Sequence, residues 1–153
     1  MTLNEIFNKV NLKGYEFKPE ILEQVDSVGG ESARSLRGEK EGEDWSYYKW
    51  LGAYCREFKP AQVIELGGAW GTAAIIMASE LPNSKIYSIT LPEEKAFAYV
   101  KKDYPNLIKV IGDDLDLKSW PKDLDLFQTD FWFIDSLHTK VQLEAELALY
   151  KPF

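Results

Sequence analysis

The stretch Val63-Ile64-Glu65-Leu66-Gly67-Gly68-Ala69-Trp70-Gly71-Thr72 joins a short apolar run to a carboxylate and a glycine-rich turn, and leads directly into Ala73-Ala74-Ile75-Ile76-Met77-Ala78. The β-branched run predicts a strand that carries Glu65 to the carboxyl edge of a parallel sheet, where open α/β sheets bind their ligands. The glycines let the backbone turn sharply and let a ligand approach closely. The helix that follows turns free N–H groups and the positive end of its dipole toward the same place. Residue order narrows the ligand. A dinucleotide turn reads G-x-G-x-x-G and rests a pyrophosphate on the helix N-terminus, whereas this one reads E-x-G-G-x-x-G. No G-K-[ST] follows, so the turn is not a P-loop. A carboxylate just before the first glycine repels a phosphate and attracts an ammonium group. A glycine-rich strand-to-helix turn also serves purely architectural ends, and the residues leave that alternative open.

Outward from this turn the chain alternates strands and helices, which predicts βαβ units and a parallel sheet of the doubly wound α/β type. Pro82-Asn83 breaks the first helix before Lys85-Ile86-Tyr87-Ser88-Ile89-Thr90, a second strand. Pro92 opens a helix whose buried side is Phe97, Val100 and Tyr104. Ile108 to Ile111 is a short third strand ending in Gly112-Asp113-Asp114-Leu115, and Phe131 to Asp135 is a fourth. A polar connection with Ser119, Trp120 and Pro121 between them predicts one helical turn. The closing helix runs from Val141 to Tyr150. Residues 1–60 read as an N-terminal helical cap, and residues 61–153 as the first half of a Rossmann-like domain. Within the cap, Leu3, Ile6, Phe7 and Val10 recur at helical spacing, and Pro19 starts a second helix. The glycines and charges of residues 27–44 predict a mobile cover over the carboxyl edge. Tyr47, Trp50, Leu51, Tyr54 and Phe58 then form a stripe one helix face wide, favoured as a core face over a substrate cage.

Charge and composition exclude several partners. A net charge of -7 and a pI near 4.8 argue against a nucleic-acid groove or an anionic membrane surface, so a small-molecule substrate is expected. Hydrophobic residues at 45% supply a core for one domain of 153 residues. The single cysteine, Cys55, forms no intramolecular disulfide and fits a reducing compartment. No secretory or membrane-spanning run is present, which makes a soluble cytoplasmic protein the expectation.

The E-x-G-G-x-x-G segment resembles the class I S-adenosylmethionine-dependent methyltransferases. The resemblance implies that Glu65 helps hold the methionine end of S-adenosylmethionine, and that the turn from Gly67 through Gly68, Ala69, Trp70 and Gly71 to Thr72 lies against the cofactor. It implies that the end of the second strand meets the ribose. The family's acidic residue is replaced there by Thr90, with Glu93 a turn later, and a hydroxyl offers one neutral contact in place of two charged ones. Asp113 and Asp114 match an acidic group near the adenine amino group, with Leu115 flanking the ring, although a solvated loop explains the same residues. The run Ile134-Asp135-Ser136-Leu137-His138-Thr139, followed by Glu146-Leu147-Ala148-Leu149-Tyr150, resembles the cephalosporin hydroxylase-like and small-molecule O-methyltransferase branch. In that branch Asp135 corresponds to a catalytic carboxylate that often binds a divalent cation such as Mg, and His138 to a substrate contact or general base. A helix-start histidine bonded to nearby backbone is the alternative for His138.

The resemblance covers residues 45–153 and implies a strand order of 3-2-1-4, with the C-terminal strands of the usual seven absent. Phe131 to Ile134 are apolar on both faces, as in a strand buried inside a parallel sheet, and an open edge there predicts a homo-oligomer paired through the fourth strand. Two functions follow. The first is methylation of a hydroxyl on a small metabolite by S-adenosylmethionine. The second is a non-catalytic half-domain that binds a nucleoside or a partner, for which ligand binding with little or no methyl transfer is expected.

Overall fold

Strands β1 (Gln62–Leu66), β2 (Lys85–Thr90), β3 (Leu107–Ile111) and β4 (Phe131–Ile134) run parallel, as the residues predict, in the order β3-β2-β1-β4 that the resemblance implies. The computed structural model describes residues 2–10, 12–26, 46–92, 97 and 104–153. The expected cover at 27–44, Glu93 and most of the helix expected after Pro92 lie outside the described residues. Among the described residues five helices accompany the sheet: α1 (Leu3–Lys9), α2 (Pro19–Asp26), α3 (Ser46–Phe58), α4 (Thr72–Glu80) and α5 (Lys140–Tyr150). No helix among the described residues is long and apolar enough to cross a membrane.

Alternation along each strand sorts its side chains onto two faces. Val63 and Ile86 join α2, α3 and α4 in one buried cluster, while Ile64, Leu66, Tyr87 and Ile89 join Val110, Trp120 and Tyr150 in another. Helix α4 is buried from Thr72 to Ser79 because it lies between the sheet and α3, which accounts for its lack of a polar side. Burying each Ile or Met of this helix contributes about 1.5 to 3 kcal/mol. The C-terminal end of α4 is tied down electrostatically. Arg56 makes two hydrogen bonds to the Glu80 carboxylate, at 2.8 and 3.0 Å, and Tyr15 makes a third at 3.3 Å.

Three expectations are refined. The innermost face of α3 is Tyr48, Leu51 and Cys55, while Trp50, Tyr54 and Phe58 are half-buried and Tyr47 is exposed. The predicted stripe shares Leu51 with the innermost face and otherwise lies beside it, because α3 is covered on two sides: by α4, and by the N-terminal segment carrying Val10 and Tyr15. Trp50, Tyr54 and Phe58 instead form an aromatic ladder on the second side, continued by Tyr54 against Phe131 at 4.5 Å. The connection before β4 holds two 3-10 turns, Leu117–Ser119 and Leu126–Gln128, rather than one. Asp116 and Asp125 each start a turn by accepting a backbone N–H two residues on. Finally, β4 stands at the edge of the sheet with all four residues half-buried. Its faces are covered, by Tyr54 on Phe131 and by Tyr150 on Trp132, but its outer hydrogen-bonding edge has no neighbouring strand among the described residues.

Candidate functional site

The glycine turn is fastened to the end of β2 by its own amides. Gly67 and Gly68 both donate to the Ile89 carbonyl, at 3.0 and 2.9 Å, Ala69 donates to Thr90 Oγ1 at 3.1 Å, and Gly71 donates to the Gly68 carbonyl at 2.7 Å. These four N–H groups are therefore already satisfied and do not form a phosphate cradle. Gly67 has φ +85°, and a Cβ there would lie 2.2 Å from the Asp135 carbonyl oxygen. Only glycine lets the end of β1 pass this close to the end of β4.

Beneath the turn sits Glu65, 1% exposed, which accepts a hydrogen bond from the Ser88 hydroxyl. The pairing of β1 with β2 places these two residues side by side. Burial pushes the Glu65 carboxyl up to about 7, against the lowering effect of Ser88 and with a further rise from the Asp135 charge. Gly68 packs over the pair, since a Cβ on it would lie 2.2 Å from Ser88 Oγ and 3.5 Å from Glu65 Oε2. Tyr48, on α3, hydrogen-bonds Thr72 at the start of α4, and burial pushes its hydroxyl up to about 12.

A pocket of about 420 Å³ opens at the carboxyl edge of the sheet, and all four strand ends line it. Gly67 and Ala69 come from β1, Ile89, Thr90 and Leu91 from β2, Gly112 to Leu115 from β3, and Asp135 to Leu137 from β4, with Gln142 from α5. Seven expected site residues thus meet in one cavity: Gly67, Ala69, Thr90, Asp113, Asp114, Leu115 and Asp135. Glu65, Gly68, Trp70, Gly71 and Thr72 stand outside that lining, in or under the turn. Thr90 is buried and uses Oγ1 to accept from Ala69, which leaves its hydroxyl proton to donate.

At the β4 end His138 Nε2 lies 2.8 Å from Asp135 Oδ1. The carboxylate selects the tautomer protonated at Nε2 and leaves Nδ1 as an acceptor. His138 is the exposed member, with 80% of its side chain accessible against 31% for Asp135. Among the described residues no three His, Cys, Asp or Glu side chains converge to hold the divalent cation implied for Asp135. The sequence reading passed over Ser88, Ser136 and Gln142. The spacing of Gln142, Glu146 and Tyr150, four residues apart on one face of α5, was a usable signal, since polar groups recurring on a sheet-facing side need partners there.

Among solved structures, the arrangement is similar to that of the SAH-bound Podospora anserina methyltransferase PaMTH1, with a TM-score of 0.54 and 17% identity over 89% of this chain. The chain has the fold of a class I methyltransferase. It spans 59% of the length of the PaMTH1 chain. A second solved structure, coclaurine N-methyltransferase bound to N-methylheliamine and SAH, is similar at a TM-score of 0.39 and 15% identity, over 74% of this chain and 38% of that one. No family model matches the sequence, and no curated protein matches it.

Proposed function

We propose that the pocket binds S-adenosylmethionine and that the chain is a methyltransferase acting on a hydroxyl of a small metabolite, in the manner of the small-molecule O-methyltransferases. One observation carries this reading: four strand ends converge on a cavity whose glycine turn has its amides already bonded, which suits a nucleoside with a cationic end better than a phosphate. Adenine would lie by Asp113, Asp114 and Leu115, and the ribose by Thr90. The methionine end would run toward the turn, where the buried Glu65 carboxyl supplies negative potential from below. The fold shared with PaMTH1, whose structure holds SAH, supports the choice of cofactor.

In the transfer, a lone pair of the acceptor oxygen attacks the methyl carbon as the carbon–sulfur bond breaks, and the thioether S-adenosylhomocysteine departs. The acceptor proton passes to His138 Nδ1, and Asp135 stabilises the imidazolium that results. Orientation in a displacement of this kind supplies most of the rate. No step is assigned to a metal. Isothermal titration with S-adenosylhomocysteine is the test, with saturable one-to-one binding expected. Absence of binding at ~1 mM ligand, the weak end of specific affinity, overturns the reading.

The open edge of β4 favours a second reading, in which the chain binds the cofactor without transferring methyl. Transfer of a labelled methyl group by the chain alone separates the two. The same edge supports self-association, β4 pairing antiparallel with its copy in a symmetric dimer. Light scattering is expected to give twice the chain mass, and a monodisperse monomer would exclude the dimer. A cytoplasmic location completes the proposal, consistent with the free, buried Cys55.

A further inference from the structure

Two carboxyl groups meet at the wall of the pocket where the β3 end touches α5. Gln142 Nε2 donates to Asp114 Oδ1 at 3.1 Å and to Glu146 Oε1 at 3.0 Å. Ser136 Oγ also donates to Glu146 Oε1, and the Tyr150 hydroxyl donates to the Asp114 carbonyl. Glu146 is 0% exposed, and its other oxygen, Oε2, is buried with no donor among the described residues. A buried carboxylate oxygen without a donor is costly. Asp114, whose Oδ1 shares the Gln142 amide with Glu146 and whose carboxyl interacts with that of Glu146, can supply a proton only by keeping its own. We propose that Asp114 and Glu146 share one proton, so that Glu146 is a positioning residue that holds the β3 turn against α5 and sets this wall of the pocket.

The surroundings favour the shared proton. Asp113 adjoins Asp114, Tyr150 faces both carboxyls from α5, and Asp135 lines the same pocket from the end of β4. No ion pair among the described residues brings a Lys, Arg or His to either carboxyl. Burial, the hydrogen bond to Glu146 and the charges of Glu146 and Asp113 all move Asp114 upward, from 3.8 to about 6. The folded protein therefore holds a proton that the unfolded chain has released. The contribution is full below pH 3.8 and is lost as pH rises through about 6. Above that range two like charges push the β3 turn and α5 apart.

Thermal melting of the whole chain between pH 4.5 and 8 tests the pair without any ligand. Glu146→Gln carries a permanent N–H in place of the shared proton. It is expected to melt with the wild type at pH 4.5 and about 3 °C above it at pH 8. Asp114→Asn is expected to behave likewise, and the double variant to gain less than the sum of the two. A difference between Glu146→Gln and wild type that is the same at both pH values, or strict additivity, overturns the shared proton. A purely packing role would give such a constant offset. The link to the pocket rests on the cofactor reading and is measured separately, by titration with S-adenosylhomocysteine. Between pH 5.5 and 8 the wild type is expected to lose about threefold more affinity than Glu146→Gln, and equal losses overturn the link. If neither protein binds S-adenosylhomocysteine, the cofactor reading falls and the melting curves still decide the pair.

Discussion

Glutamine in place of Glu65 is expected to remove most of the fall in stability that the wild-type protein shows as pH rises from 4.5 to 7. In the fold this carboxyl is wholly buried and pushed up to about 7, whereas its ordinary value is 4.5. A carboxyl raised on folding binds its proton more tightly in the native state, so its contribution is greatest at and below pH 4.5 and declines until the native carboxyl has ionised near pH 7. At 1.36 kcal/mol for each pH unit, the loss is about 3 kcal/mol by pH 8. Glutamine reproduces the shape of the protonated acid and still accepts from Ser88, so the variant keeps that stability at high pH. Denaturant unfolding at pH 4.5 and pH 8 measures it. Equal wild-type and variant stabilities at pH 8, with both folded, would show that the carboxylate costs nothing where it sits. A cationic ligand end near the turn would stabilise the ionised form, so S-adenosylmethionine is expected to release a proton on binding near pH 7, and Glu65→Gln to bind it less tightly.

His138→Ala is expected to lower the rate of methyl transfer about a hundredfold, the lower bound for removing a general base, while S-adenosylhomocysteine binds as before. The histidine is 80% accessible in its side chain and lies outside the pocket lining, so its removal opens no cavity, and Asp135 is the lining group that it touches. Asp135 loses its 2.8 Å partner but keeps its place at the end of β4, because its backbone N–H is held by the Leu66 carbonyl at 2.9 Å. Turnover with a small hydroxylated acceptor, alongside binding measured by titration, checks both halves. A variant that turns over at the wild-type rate removes His138 from the mechanism.

The architecture was legible because its signals are local. The apolar run Lys85 to Thr90, bounded by Pro82-Asn83 and Pro92, marks β2 with its observed limits, and the order β3-β2-β1-β4 is the one that the resemblance of the glycine turn implies. The position of the pocket was legible for the same reason, since strand ends carry it. Pairings across the fold were not legible. Ser88 becomes the partner of Glu65 only through the register of β1 on β2, and that register depends on how the whole sheet assembles. Glu146 reads in sequence as one more helix-surface acid. Its burial is decided by Asp114 and Ser136, which come from other elements. The α3 stripe was legible only in part, because hydrophobic period reports one buried face and this helix has two, with Leu51 on the first and Trp50, Tyr54 and Phe58 on the second.

The bonding of the glycine turn bears on how such a site can be moved between scaffolds. The turn looks like a free-standing loop between β1 and α4, but its amides are held by Ile89 and Thr90, and its first glycine lies under the Asp135 carbonyl. Grafted alone, residues 65–72 would arrive with donors unmatched and a glycine that no neighbour requires. The transplantable piece is the turn with the ends of two other strands, so a designer copying this site must carry three discontinuous segments in fixed relation or rebuild their backbone acceptors in the host.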